Sequence, residues 1–311
     1  MRSIRIRSFG GPEVVELTER PVPEPRPGEV LVRVAAAAVN PADWRIRAGE
    51  VRRLGEPPLG LGLDVAGTVV AGDGGRFRTG DRVFGVVPPP QGSFAEYVAV
   101  PGTTLARTPD ELDDACAAAL PVAGLTAWQA LVAAAHLGSG ERVLVHAGAG
   151  GIGHLAVQIA RARGAHVTAT AGTANQAFLR ELGVDEPVDH RATDVFARPD
   201  RFDVVLDPLG GAHALRSLEL LRPGGRLVDV RGTGVDRTAL RTRAAQLDVE
   251  LTELYFRPDP GDLDALALLA AKGDLRPHLG LVLPLERAAE AIAEVESGHA
   301  RGKVVLSVAA G

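Results

Sequence analysis

The sequence predicts an α/β protein in which a β-rich, partly open barrel is joined to a doubly wound parallel sheet. Three observations carry that expectation. Roughly the first hundred residues lack helical periodicity and show short β-type runs separated by Gly and Pro. Beyond Arg142 the pattern changes to buried-strand runs alternating with helix-length segments, which is the signature of a parallel sheet covered on both faces. The 311 residues, 46% hydrophobic and 23% charged, are enough for about two domains, each with its own core, and lie outside the composition of disordered chains.

In the barrel part, the breaks fall at Gly10-Gly11-Pro12, Pro21 to Gly28, Gly72 to Gly75 and Pro88 to Gly92. Strands are expected between them at Ser3–Arg7, Val14–Thr18, Glu29–Val39, Val65–Ala71, Asp81–Val87 and Phe94–Val100. After Pro109, Glu111–Leu120 and Val122–Leu137 are Ala-rich and helix-favouring, with Pro121 suited to a first turn. Arg142–Ala147, Ile152–Arg163 and His166–Thr170 then read as one βαβ unit, the helix carrying apolar Ile152, Leu155, Ala156 and Ile159. Further alternation follows: helix Gln176–Leu182 closed by Gly183, strand Phe202–Asp207, helix Ala212–Leu221, the turn Arg222 to Gly225, strand Arg226–Val230, a helix over 238–246 and strand Val249–Phe256. Leu279–Leu283, Glu286–Glu296 and Lys303–Val308 form a closing strand, helix and strand that can return to the barrel, which would make the sheet domain an insertion.

Charge and cysteine content narrow the function. With 34 basic against 39 acidic residues the net charge is −5, so no global field favours a phosphate backbone, and nucleic acid is not an expected partner. No apolar run spans a bilayer and no secretory segment opens the chain, so no membrane partner is expected either. The single cysteine, Cys116, excludes an intramolecular disulfide and a cysteine-cluster zinc site and fits a reducing, cytoplasmic setting.

The chemistry-bearing constellation is Val143 to Gly153, where Gly148, Gly150 and Gly153 satisfy G-x-G-x-x-G between a strand and a helix. Glycines there permit a tight turn and close backbone approach, and the helix start directs N–H groups and partial positive charge at a pyrophosphate. The cradle therefore comprises Gly148, Ala149, Gly150, Gly151, Ile152 and Gly153; the competing reading is a Gly-rich turn that binds nothing. A site selective for NAD places Asp or Glu at the end of the second strand. Here that stretch, Val167 to Asn175, has no carboxylate, and Thr170, Thr173 and Asn175 offer donors to a 2′-phosphate, which favours NADPH. The same groups could instead cap the next helix, and the nearest arginines, Arg180 and Arg191, lie outside the loop.

Several motifs in order carry a resemblance over nearly the whole chain: Phe9 to Val14, Val39-Asn40-Pro41-Ala42-Asp43, Gly62 to Gly67, Gly80 to Val83, Gly92 to Tyr97, Leu120 to Ala127 and Gly302-Lys303-Val304-Val305. The chain resembles the zinc-independent members of the medium-chain dehydrogenase/reductase superfamily, of the quinone oxidoreductase (zeta-crystallin-like) type. The resemblance implies a GroES-like barrel catalytic domain over 1–118 and 276–311, split by a Rossmann NADPH-binding domain over 119–275, with substrate and nicotinamide in the cleft between them. It also implies contacts to the cofactor from Thr126, near the nicotinamide amide, and from His190, near the adenosine phosphate, the competing reading of His190 being a surface loop residue. Relatives with catalytic zinc hold it with a Cys near Asn40 and a His-Glu pair near Leu63 and Asp64; this chain departs at each, so zinc is not expected.

Metal-free hydride transfer suits an acceptor that is already electrophilic, a quinone or the β-carbon of an enone, with charge developing on the conjugated oxygen. Asn40 and Trp44 are the candidate donors to that oxygen, the competing reading of the Trp44 indole N–H being a packed group; Asp43 and Asp64 read either as orienting groups or as a helix cap and a barrel salt bridge. Asp207, at the end of a parallel strand, reads as a cofactor contact or a turn former. His146 is most simply a packed, hydrogen-bonded histidine. Asn40, Phe256 and Lys303 also count among the expected cofactor contacts, and Trp44, Phe84, Tyr97, Tyr255 and Phe256 are the flat surfaces available to a planar substrate, most of them expected to be core. The expected activity is NADPH-dependent reduction of a small conjugated carbonyl or quinone. The alternatives are an enoyl reductase dedicated to one biosynthetic intermediate and a nucleotide-binding regulator without turnover. Edge pairing through Val249–Phe256 would give a homodimer.

Overall fold

Alternating β-branched and apolar residues make the first strands, because such residues pack well on a pleated, half-buried surface. The structure, a computed structural model, describes residues 1–72, 75–198, 201–230 and 236–308. In chain order it opens with β1 (Arg2–Ile6), β2 (Val15–Glu19), β3 (Glu29–Val39), α1 (Pro41–Arg47), β4 (Leu59–Gly60), β5 (Asp64–Gly72), β6 (Arg82–Val86), β7 (Tyr97–Pro101), β8 (Leu105–Arg107) and α2 (Asp114–Ala118). There follow α3 (Pro121–Trp128), β9 (Arg142–Val145), α4 (Gly153–Ala162), β10 (His166–Ala171), α5 (Gln176–Glu181), β11 (Glu186–Asp189), β12 (Phe202–Asp207), α6 (Gly211–Leu218), β13 (Leu221–Asp229), α7 (Thr238–Leu247) and β14 (Glu250–Glu253). The chain closes with α8 (Pro260–Ala271), β15 (Leu279–Pro284), α9 (Ala288–Glu296) and β16 (Lys303–Ser307).

Two compact units result: Met1–Val122 with Pro258–Gly273 and the stretch from Pro277, and Ala123–Arg257 with Asp274–Arg276. In the first, β2-β1-β4 form a small sheet and β15-β16-β3-β5-β6-β8 a larger one, with β7 also paired to β3. Val304 pairs with Val39, so β16 starts where β3 ends and Lys303 arrives beside Asn40. Ile6, Val32, Val65, Phe94, Leu105 and Ile292 are fully or almost fully buried in its core, each worth about 1.5–3 kcal/mol of transfer free energy. Helix α8, which the sequence reading assigns to the nucleotide-binding domain and does not identify as a helix, belongs to the first unit. It packs on β8, and Asp264 pairs with Arg76 through two contacts of 2.8 Å.

In the second unit all six strands run parallel in the order β11-β10-β9-β12-β13-β14. Strand order reverses between β9 and β12, and in doubly wound sheets ligands bind outside the carboxyl ends at that reversal. The apolar side chains of Leu144, Phe202, Val205, Leu218 and Leu227 bury each other under α6 and β13. The Arg222 to Gly225 turn expected before β13 is absorbed into the strand as a register shift between Phe202 and Val204. The last strand is shorter than Val249–Phe256, because only residues 250–253 find partners on β13. Helix α3 continues into a π-helical turn, Gln129–Ala134. Among the described residues no helix is long and apolar enough to cross a membrane.

Candidate functional site

The glycine-rich turn leaves β9 at Val145 and enters α4 at Gly153. Ala147 takes a left-handed φ of 51°, Gly148 N donates to Thr170 O at 2.8 Å, and Gly150 N donates to Ala147 O at 2.9 Å. Two of the fingerprint glycines are sterically required: a Cβ on Gly153 would lie 2.1 Å from Ala147 O, and one on Gly148 would lie 2.8 Å from Ala169 Cβ. Ile152 offers α4 no side-chain cap, so opening N–H groups remain for an anion, and the partial charge of the helix start adds to them. Of the remaining turn residues, Ala149 is buried while Gly151 and Ile152 are half-buried.

Directly beneath, His146 is fully buried, in keeping with the packed histidine read from sequence. Its Nε2 lies 3.1 Å from Ser217 Oγ, which itself donates to His213 O, so Nε2 must carry the proton. Nδ1 is then the acceptor for Thr170 Oγ1 at 3.3 Å, and Thr170 Oγ1 accepts from Ala147 N at 3.2 Å. Burial, reinforced by the neighbouring His213, pulls the His146 pKa down to about 3, keeping the ring neutral.

This network corrects one expectation. Thr170 is buried with its hydroxyl spent under the turn, so it is not available to a 2′-phosphate, because β10 is buried on both faces and the hydroxyl meets His146 and Ala147 N there. Thr173 hydrogen-bonds Asp189, whose carboxyl is held below its ordinary range by that bond and by Arg191 N. Asn175 is half-buried and precedes α5 without capping it through its side chain. His190 is exposed, and its N–H donates to Ala171 O at 3.2 Å.

Asp207 ends β12 fully buried. Its Oδ1 accepts from Leu209 N at 2.6 Å and Gly210 N at 3.0 Å, and Oδ2 lies 3.3 Å from His213 Nδ1. Burial works against the ionised form, but the His213 bond and these N–H groups outweigh it and the pKa falls. Of the two roles weighed for Asp207, the carboxylate's contacts are those of a turn former. Thr126 is buried on α3; one turn on, Gln129 fastens the segment after β14, donating from Nε2 to Arg257 O at 2.8 Å and accepting from Arg257 N at 2.9 Å. That clamp went unread in the sequence, where the helical run Val122–Leu137 gives no sign of a π-turn. Next to the clamped residue, the half-buried Phe256 ring lies 5.6 Å from that of exposed Tyr255.

In the first unit, Asn40, Asp43, Asp64 and Lys303 converge at the ends of β3, β5 and β16. Lys303 Nζ donates to Asn40 Oδ1 at 2.6 Å and approaches Asp64 Oδ2 at 3.3 Å; Asn40 Nδ2 donates to Asp64 Oδ2 at 2.8 Å, and Val122 N to Asp64 Oδ1 at 2.8 Å. Asp43 accepts from Asn40 N and Gly62 N, each at 2.8 Å. Burial pushes Asp43 up to about 7, and burial likewise raises Asp64 against the opposing pull of Lys303 and Asn40. The free amide donor expected of Asn40 is therefore engaged, and Asp43 is wholly enclosed; both hold the loop in place, because folding joins chain segments that sequence spacing keeps apart. Lys303, read from sequence as a cofactor contact, has its ammonium directed into this cluster. Trp44 is half-buried against the barrel core, with the Arg45 guanidinium 5.3 Å from its ring centroid. Among the described residues no cluster of three or more His, Cys, Asp or Glu could hold a metal.

Comparison with known proteins matches residues 26–110 to the alcohol dehydrogenase GroES-like domain and residues 182–306 to the family described as zinc-binding dehydrogenase. The chain is 35% identical to a quinone oxidoreductase of Pongo abelii over 98% of its own length and 97% of that protein. Among solved structures, the quinone oxidoreductase from Coxiella burnetii superposes with a TM-score of 0.92 at 33% identity, covering 99% of each chain. The CurK enoyl reductase does so with a TM-score of 0.88 at 26% identity, again over 99% of each.

Proposed function

This chain belongs to the quinone oxidoreductase type of the medium-chain dehydrogenase/reductase superfamily, and from that membership we propose that it uses NADPH to reduce a quinone or an α,β-unsaturated carbonyl without a metal. The observation that carries the reading is the Gly148–Gly153 cradle, where any Cβ at Gly153 would collide with backbone and where α4 opens uncapped. Those residues fit a pyrophosphate. Bound there, the reduced nicotinamide supplies a hydride. Thr126 and the Gln129-fastened segment at Phe256 would orient its ring, and the buried His146 network holds the glycine turn in place.

Zinc fits poorly. The position that would have to hold it offers an amide from Asn40, the carboxylate of Asp64 and the apolar Leu63, with the Lys303 ammonium already 2.6 and 3.3 Å from the two polar partners. A zinc ion needs close N, S or O ligands and would meet a fixed positive charge. The acceptor must then be electrophilic on its own: its carbon takes the hydride, and its conjugated oxygen takes a proton from solvent. Asn40 and Asp43 serve this reaction by holding the loop at the end of β3 in one conformation. The single cysteine and the absence of disulfides suit a reducing, cytoplasmic setting.

The decisive experiment is a spectrophotometric acceptor screen with NADPH and NADH in parallel, with and without chelator. Turnover of simple quinones and enals with NADPH, unchanged by chelator, is the expected result. Chelator-sensitive turnover defeats the metal-free reading. Activity confined to one elaborate enoyl substrate favours the dedicated enoyl reductase, a reading supported by the likeness to CurK. Nucleotide binding with no oxidation across the panel leaves the regulator.

A further inference from the structure

We propose that the Arg191 guanidinium, folded across Gly172 beside the His190 ring, is the group that selects a 2′-phosphorylated nucleotide. This rests on the NADPH reading above and adds to it the side chain that decides between NADPH and NADH.

The placement follows from strand register. Strands β10 and β11 are parallel and Ala171 pairs with Asp189, so the residues that leave the two strands, Gly172-Thr173 and His190-Arg191, emerge side by side. His190 N donates to Ala171 O, and Arg191 N donates to Asp189 Oδ1 at 3.0 Å, which fixes both backbones. An ideal Cβ on Gly172 would stand 3.4 Å from Arg191 Nε, 3.8 Å from its Cζ and 3.8 Å from His190 Cε1. The guanidinium thus flanks the side-chain space of Gly172, the residue that follows the second strand of the βαβ unit, where doubly wound sheets read the 2′-position of the adenosine ribose. Sequence distance hides this contact, since the whole of α5 and β11 separate the two residues along the chain.

Three features suit the group to a phosphate. Arg191 is exposed and, among the described residues, forms no ion pair, so its planar fork of donors is free for two-point contact with phosphate oxygens. The two hydroxyls nearest the site are committed elsewhere, Thr170 under the turn and Thr173 to Asp189, so neither competes with Arg191 for the phosphate. The carboxylate of Asp189, the negative group at this strand end, is engaged by Arg191 N and Thr173.

Binding of nucleotide fragments tests this without hydride chemistry. Calorimetric titration of the full chain with 2′,5′-ADP and 5′-AMP, for wild type, Arg191→Ala, Arg191→Lys and the α5 control Arg180→Ala, gives the preference for the extra phosphate directly. Wild type should favour 2′,5′-ADP by about tenfold or more, the worth of one charge-assisted contact. Arg191→Ala should remove most of that preference with 5′-AMP affinity unchanged, Arg191→Lys should keep part of it, and Arg180→Ala should keep all of it. A wild-type preference that survives in Arg191→Ala overturns the assignment while leaving the NADPH reading intact. A wild type that binds 5′-AMP as tightly as 2′,5′-ADP overturns both, and would make Asp189 a ribose partner.

Discussion

Lys303 and Asn40, 263 positions apart in sequence, are joined by a 2.6 Å bond from Nζ to Oδ1, and Asp64 completes the set at 3.3 Å from the same Nζ. The ammonium is buried, and so are both of its partners. Buried charges persist only when paired and hydrogen-bonded, because desolvation of each costs several kcal/mol. This one contact ties the closing strand to the helix-opening loop at Asn40, a function that neither motif suggests alone.

Removing Lys303 should therefore be severe. Lys303→Met leaves the Asp64 carboxylate buried without its counter-charge, and an unpaired buried charge costs about 3–5 kcal/mol. Urea unfolding should show the extrapolated unfolding free energy lowered by that amount. A Lys303→Met variant as stable as wild type would mean that the ammonium contributes nothing to the fold.

Gly153→Ala should weaken nucleotide binding. The new methyl would stand 2.1 Å from a backbone carbonyl, and no flexible side chain can yield there. Backbone displacement of that kind costs about 1–3 kcal/mol and distorts the anion cradle. Titration with NADPH should show affinity lowered at least about tenfold. Gly138→Ala, whose Cβ meets nothing closer than 3.6 Å, is the matched control and should bind as wild type does. Equal affinity in the two variants would remove the turn from the binding site.

Two buried groups should bend the stability curve in opposite directions. Asp43, raised from 3.8 to about 7, holds its proton more tightly folded than unfolded. Its contribution is complete below its unfolded value and is lost as pH rises through about 7. His146, lowered from 6.5 to about 3, resists protonation in the folded state, so its contribution is complete above 6.5 and is lost as pH falls toward 3. Each slope is at most about 1.4 kcal/mol per pH unit. Unfolding free energies measured from pH 4.5 to 8 should show the Asp43→Asn deficit shrinking with rising pH and the His146→Asn deficit shrinking with falling pH. Deficits that stay constant with pH would show that neither group has a shifted titration.

Much of this protein could be read from sequence because local rules coincide with the final fold. Glu29–Val39 and Phe202–Asp207 fold over the ranges their apolar runs define, and the glycine fingerprint sits between strand and helix as its mechanism requires. Helices α1 and α8 were equally legible in principle: Asn40-Pro41 and Asp259-Pro260 each place an N-cap residue type before a first-turn proline. The helix-cap reading of Asp43 points to the first of them, and Gly and Pro breaks on either side mask the rest.

Pairing and facing were decided only in three dimensions. Burial of β10 on both faces spent the Thr170 hydroxyl on His146, and parallel register brought Arg191 beside Gly172. Antiparallel pairing of β16 with β3 carried Lys303 to Asn40. The sequence by itself determined which segments are strands and helices and where an anion can be cradled, since those depend on neighbouring residues. Which polar groups are spent inside and which stay free for a ligand depended on contacts between distant segments, and only tertiary packing assigns those.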